Sequence, residues 1–293
     1  MESYLLLVLA DILLAANFAI NKVYQQKNGV ALKTGLYFNC LSGLFTVLIF
    51  FVISGFKLHI SVFSLIMAVV QTVLVTVYTL ISFRVLKYGT LALYTLFLMS
   101  GGMTVPYIWG LLFLNEEFSF IRTAALILII IAVTLSNLDG KKTDKKQFLM
   151  CLSVFLLNGF VSVVSKIHQI EQNYTTVNSS EFVFWGGVFK FLIAGVIYLA
   201  VKSKEESPKA EITQKNTVMA VVIIAAAALV SGVSYLLQLL GAVDLPATVL
   251  YPFVTGGSII FSSITGVIFF KDKLNLRIII SVILCFIGTL MFL

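Results

Sequence analysis

A chain of 293 residues that is 60% hydrophobic and only 11% charged, with a mean hydropathy of +1.05, has too little polar surface to face water as a soluble globule. It reads as an integral membrane protein, with no stretch left over for a soluble domain. The formal net charge of +7 sits largely in short lysine-bearing loops, as membrane topology requires, and implies nothing about nucleic acid.

A spanning helix needs roughly 20 apolar residues. The sequence predicts ten such spans, approximately at 3–24, 31–54, 62–84, 90–114, 121–138, 147–168, 180–201, 217–241, 246–270 and 276–293. The first run contains Asp11 and Asn17 and has no cleavage-like site, so it is expected to stay in the mature protein. On that helix Asp11, Ala15, Phe18 and Lys22 share a face, with Asn17 and Asn21 about a quarter-turn away. Asp11 and Lys22 lie roughly 16 Å apart along the axis, too far to pair directly. A charged, unpaired carboxylate inside a membrane costs several kcal/mol, which makes Asp11 a candidate for proton or cation coupling; at the membrane surface it would simply be solvated.

Further along, Thr72, Thr76 and Thr79 form a row on the third span, with Gln71 and Tyr78 beside it. On the eighth, Ser231, Ser234, Tyr235 and Gln238 follow the i, i+3, i+4, i+7 rule. Lipid cannot satisfy such stripes, so they face protein or a water-filled cavity. One use is interhelical hydrogen bonding at roughly 0.6 to 2 kcal/mol per bond; the other is a central cavity. Lys190 falls near the centre of the seventh span, five residues after Trp185. There it snorkels, pairs with an acid such as Asp11 or Glu181, or meets a substrate carboxylate or phosphate. Arg84 and Lys87 lie at a membrane boundary and read as anchors.

The charged segment 139–147, DGKKTDKKQ, separates five spans from five: a first repeat at 1–138 and a second at 148–293. An odd number of spans per repeat orients the halves oppositely in the membrane, with the substrate site expected between them. The repeat is clearest where LALYTLFLMSGGMTVPYIWGLLFLNEEFSFIRTAALILIIIAVTLSN, from Leu91, meets ATVLYPFVTGGSIIFSSITGVIFFKDKLNLRIIISVILCFIGTLMFL, from Ala247. Phe97 falls on Phe253, Gly101 on Gly257, Phe113 on Phe269, Glu116 on Asp272 and Ala132 on Gly288. The repeat heads also align, with Lys22 in ANFAINKVYQQ against Lys166 in NGFVSVVSKIHQ. Both lysines sit at helix ends, where snorkelling is common.

These paired copies resemble the end of the repeat shared by the EamA-type transporters of the drug/metabolite transporter superfamily, whose last two helices are joined by a short turn holding an acid. Glu116 and Asp272 match that acid, and Asn17 followed by Lys22 is similar to the family's first helix. Gly102 and Ser258 stand where many members place a proline. In its small and tyrosine-bearing residues this segment is similar to the small multidrug resistance branch, although Leu14 occupies that branch's membrane acid and Asp11 lies one turn earlier. The resemblance implies a transporter of metabolites, amino acids or drugs.

Small residues at Gly101, Gly102, Gly256 and Gly257 suit close helix approach or a bend used in gating. Tyr94, Phe97, Tyr251 and Phe253 are possible aromatic walls. Cys40, Cys151 and Cys285 have no paired spacing, which supports neither a disulfide framework nor a metal site. His59 and His168 belong to no catalytic constellation, and no GxxxxGK[ST] loop is present, so neither an enzyme, a cofactor nor ATP is expected. About sixteen lysines and arginines lie on the side of the 139–147 linker and the 202–215 loop, against about three opposite. That makes those loops cytoplasmic and both termini external, whereas the family resemblance implies cytoplasmic termini.

The sequence therefore predicts an all-α membrane protein of two inverted five-helix repeats, acting as a secondary transporter by alternating access. Lys22, Lys190, Gln71, Tyr78, Tyr235, Gln238, Tyr251 and Thr255 are the candidate substrate residues, and Asp11 is the coupling candidate. An excess of basic over acidic groups in the interior favours an amino acid or another anionic or zwitterionic solute. Proton-coupled efflux of drugs or cations is the alternative, followed by a passive channel or a non-transporting membrane partner. The short loops suggest a bacterial plasma membrane.

Overall fold

The computed structural model describes residues 2–29, 31–88, 91–136, 145–201, 214–271 and 276–293, with side chains described except at 82–96, 136, 214–216 and 278. Among these residues there are ten α-helices and no strand: α1 (Glu2–Asn28), α2 (Leu32–Ile53), α3 (Val62–Tyr88), α4 (Leu91–Phe113), α5 (Phe120–Ser136), α6 (Lys145–Ile170), α7 (Ser179–Ala200), α8 (Gln214–Asp244), α9 (Ala247–Phe270) and α10 (Leu276–Leu290). The expected spans and the helices agree in number and order. Lys145, Lys146 and Gln147, expected in the linker, form the first turn of α6 instead. A helix satisfies its own backbone bonds and continues past the apolar stretch at little cost when its exposed end carries lysines. The rest of the linker, the 202–213 segment and Asp272 lie outside the described residues, as do the side chains of Tyr94, Arg84 and Lys87.

By length and composition seven of these helices can cross a membrane: α1, α2, α3, α6, α7, α8 and α9. α4, α5 and α10 contribute shorter apolar stretches at Phe97–Phe113, Phe120–Leu135 and Ile279–Leu290. Apolar side chains point outward all around the bundle, with Leu199 84%, Phe120 83% and Val196 67% exposed. That surface suits lipid and not water.

Helices in lipid gain nothing from hiding apolar surface against each other, so small residues and hydrogen bonds decide where they touch. α4 crosses α6 at Gly101 and Gly159, where an added Cβ would run into Phe155 or Val105. α2 crosses α7 at Gly43, where a Cβ would stand 2.6 Å from the Phe191 nitrogen. The main packing partners have a regular order: α1 lies on α8 and α9, and α6 on α3 and α4. α2 pairs with α7, α4 with α9 and α5 with α10. Exchanging α1–α5 for α6–α10 returns the same set.

α4 and α9 also end alike. Asn115 and Lys271, equivalent in the repeat, have left-handed backbones with φ of 51° and 53°. The Glu116 amide turns back to the Gly110 carbonyl at 3.1 Å, and the Lys271 amide to that of Gly266. One buried apolar cluster joins Leu7 of α1 to α4, α5, α9 and α10, and a second joins Phe50, Ala68, Phe182 and Leu239 of α2, α3, α7 and α8. The second cluster adjoins the cavity described next.

Candidate functional site

Between α2, α3, α7 and α8 lies a cavity of about 350 Å³, touched by Val161 of α6. The close α2–α7 crossing places a cation in its wall: Lys190 stands one turn beyond Gly187, and its Nζ donates to Ser42 Oγ at 2.9 Å. No carboxylate lines the cavity among the described residues.

The α3 wall has the opposite hydrogen-bonding character. Thr72, Thr76 and Thr79 donate their hydroxyl protons to the carbonyls of Ala68, Thr72 and Val75 at 2.7, 2.8 and 2.7 Å. Their oxygens keep acceptor capacity, and all three residues line the cavity. Gln71 Nε2 donates to Ser165 Oγ at 3.1 Å and to the Tyr235 hydroxyl at 2.5 Å, and those two hydroxyls are 2.9 Å apart. This knot joins α3, α6 and α8 at one end of the cavity.

Of the substrate residues expected from sequence, Lys190, Gln71, Tyr78 and Tyr235 come together as cavity lining. Gln238, Tyr251, Thr255 and Lys22 lie elsewhere. Gln238 Nε2 donates to Ser234 Oγ at 3.3 Å, and Tyr251 donates to the Ser162 carbonyl at 2.5 Å. The Thr255 carbonyl accepts from Ser258, and the Lys22 ammonium stands 4.1 Å from the centre of the Phe270 ring. Glu181, weighed as a partner for Lys190, instead closes a capping box with Asn178 and pairs with His59 at 2.7 Å.

Asp11 is fully buried outside the cavity lining, and neither carboxylate oxygen has a hydrogen-bond partner. It lies against Gly257, where an added Cβ would overlap its Oδ2. The candidate coupling residue and one of the candidate gating glycines thus meet at the α1–α9 interface. Gly256 faces Thr289, and a Cβ at Gly102 would lie 2.7 Å from Asn158 Nδ2.

The sequence reading gave no role in the site to Lys166 or Ser42. Lys166 is 4% exposed, and its Nζ donates to the Ala242 and Leu245 carbonyls at 2.6 Å each. Its alignment with Lys22 was the available signal. Ser42 carried none, since a serine in an apolar helix commonly bonds back to its own helix.

The model of the EamA-like transporter family matches residues 145–293, just over half of the chain. The chain belongs to the EamA-like transporter family. It is a multi-pass integral membrane transporter of the drug/metabolite transporter superfamily. No curated protein matches it. Of the solved structures, one titled "Crystal structure of protein" aligns with a TM-score of 0.76 at 11% identity, over 99% of this chain and 96% of its own. At that identity the likeness is one of fold. In this EamA-like transporter the family match spans α6–α10, while the α2 and α3 walls of the cavity lie outside the matched segment.

Proposed function

We propose that this EamA-like transporter carries a small organic anion or zwitterion through the α2–α3–α7–α8 cavity by alternating access. The observation that carries the reading is the lining: one ammonium, Lys190, with no carboxylate beside it among the described residues. A solute carboxylate would take Lys190, and N–H or O–H groups at its other end would meet the threonine oxygens of α3. An amino acid or a hydroxy acid has both ends. The moving bodies are two inverted halves, α1–α5 and α6–α10, joined by the linker that ends before Lys145. The exchangeable packing partners and the matching left-handed turns after α4 and α9 support that division. The close α4–α6 crossing at Gly101 and the Gly256–Gly257 surface are where one half would slide or bend.

Asp11 is the proposed coupling residue. Buried without a hydrogen-bond partner, its carboxylate carries a cost when charged that a bound proton or cation removes. The same observation favours the second reading, proton-coupled efflux of a cationic drug. The excess of lysine and arginine favours a cytoplasmic side for the 139–147 and 202–215 segments, and the short loops favour a bacterial plasma membrane.

A thermal-shift screen of the purified, detergent-solubilised protein against amino acids, hydroxy acids, sugar phosphates and lipophilic cations at two pH values tests both readings. A ligand of the native state raises its apparent stability by mass action. Stabilisation by a zwitterion or anion that disappears in Lys190→Met is the expected result. Stabilisation by lipophilic cations alone, dependent on pH in the parent and not in Asp11→Asn, would replace this reading with the efflux one.

A further inference from the structure

α8 ends at Asp244 and α9 begins at Ala247, so the chain reverses over Leu245 and Pro246. Such a reversal exposes the last carbonyls of one helix and the first amides of the next, carrying partial negative and positive charge respectively. Two charged side chains meet them with the matching sign. Lys166 Nζ of α6 donates to the Ala242 and Leu245 carbonyls. Glu116, from the α4–α5 turn, accepts from the Ala247 amide at 2.6 Å and the Thr248 amide at 2.8 Å. Gly110 leaves room for the carboxylate to fold back over its own helix, since a Cβ there would lie 2.5 Å from Glu116 Oε2.

We propose that Glu116 and Lys166 are positioning residues of the transport cycle, a clamp that holds the carrier closed at the α8–α9 end. The proposal rests on the alternating-access reading. Glu116 belongs to the first half of the chain and α9 to the second, so separating the halves at this end breaks both of its bonds to α9. Ser3 of α1 adds a third tie to the same turn, donating to Asp244 Oδ2 at 2.8 Å. Lys166 keeps the turn on α6, the helix that also bonds the cavity end through Ser165 and Tyr251 through the Ser162 carbonyl. Ser162, Ser165 and Lys166 share one helical face at i, i+3 and i+4. The clamp and the Gln71–Ser165–Tyr235 knot are therefore mounted on the same side of one rigid element. From that knot the cavity extends away from the clamp, to Leu36 near the start of α2 and Ala194 toward the end of α7.

The test uses the full chain with Cys40, Cys151 and Cys285 replaced by serine and one reporter, Thr76→Cys, in the cavity wall. Labelling by a membrane-impermeant maleimide is followed from each face in right-side-out and inside-out vesicles. Asn173→Cys, in the exposed connection before α7, marks the clamp face. In the parent, the reporter is expected to label from the face opposite the clamp. Glu116→Gln and Lys166→Met are each expected to raise labelling from the clamp face by about tenfold or more, the population shift that follows loss of at least one charge-assisted hydrogen bond. Glu116→Asp, which keeps the charge and shortens the reach, should fall between, and it carries the same readout if Glu116→Gln does not fold. Clamp-face labelling equal to the parent in these variants overturns the proposal. Equal labelling from both faces in the parent instead removes the alternating-access reading, and the clamp with it.

Discussion

Lys166 and Lys190 stand on successive helices, in apolar surroundings, and carry the same charge into different tasks. The Lys166 ammonium is used up at a helix reversal by two backbone carbonyls at 2.6 Å. Among the described residues the Lys190 ammonium meets one serine hydroxyl, at 2.9 Å, beside a cavity of about 350 Å³. A cation held by backbone carbonyls fixes the fold around it, while one with hydrogen-bonding capacity left over can take a ligand. Burial alone does not separate the two; the count of acceptors around the nitrogen does.

The sharpest way to break this comparison is to remove both charges in turn. Lys190→Met should reduce solute-dependent uptake into proteoliposomes by about a hundredfold or more, the loss expected when a buried charge partner of the ligand is removed. Its melting temperature without ligand should stay near that of the parent, because only the Ser42 hydroxyl loses a partner. Lys166→Met should instead lower the melting temperature without ligand, costing roughly 1 to 3 kcal/mol of stability through two orphaned carbonyls. If the two variants showed the same pattern, the assignment of the lysines to different tasks would fail.

A smaller effect is expected where the coupling candidate meets the repeat glycine. Gly257→Ala places a Cβ onto the Asp11 carboxylate and should destabilise by about 1 to 3 kcal/mol, the usual cost of overpacking. Asp11→Ala removes the obstacle, so the double variant should be more stable than the sum of the single losses predicts, in a thermal double-mutant cycle. Additive losses would mean that the two residues do not share one site. The smallest expected effect is at the acceptor wall. Thr76→Val keeps the shape but removes an oxygen, and it should weaken binding of an amino or hydroxy acid by about 0.5 to 1.5 kcal/mol. Binding of an analogue without the distal N–H or O–H should be unchanged, as titration calorimetry would record.

The polar stripes on α3 and α8 were legible because lipid forces them inward: Gln71, Tyr78 and Tyr235 reach the cavity from spacing alone. The same spacing included Gln238, which bonds Ser234 outside the lining, because helical periodicity gives a face to within about a quarter-turn and no more. Lys22 and Lys190 stood together as substrate candidates on charge and depth, and the fold sends one to the Phe270 ring and the other to the cavity.

What the sequence determined by itself was the membrane, the ten helices and their order, and the repeated turn after α4 and α9. Each follows from local requirements, the length of apolar chain that spans lipid and the left-handed residue that ends a helix. Only the tertiary structure decided that Glu116 would cap a helix 131 positions away, that Asp11 would rest on Gly257 without a hydrogen-bond partner, and which lysine would keep protons to offer. A polar group inside a membrane has to be satisfied by whatever the fold brings alongside it, and that partner is not written in its neighbours along the chain.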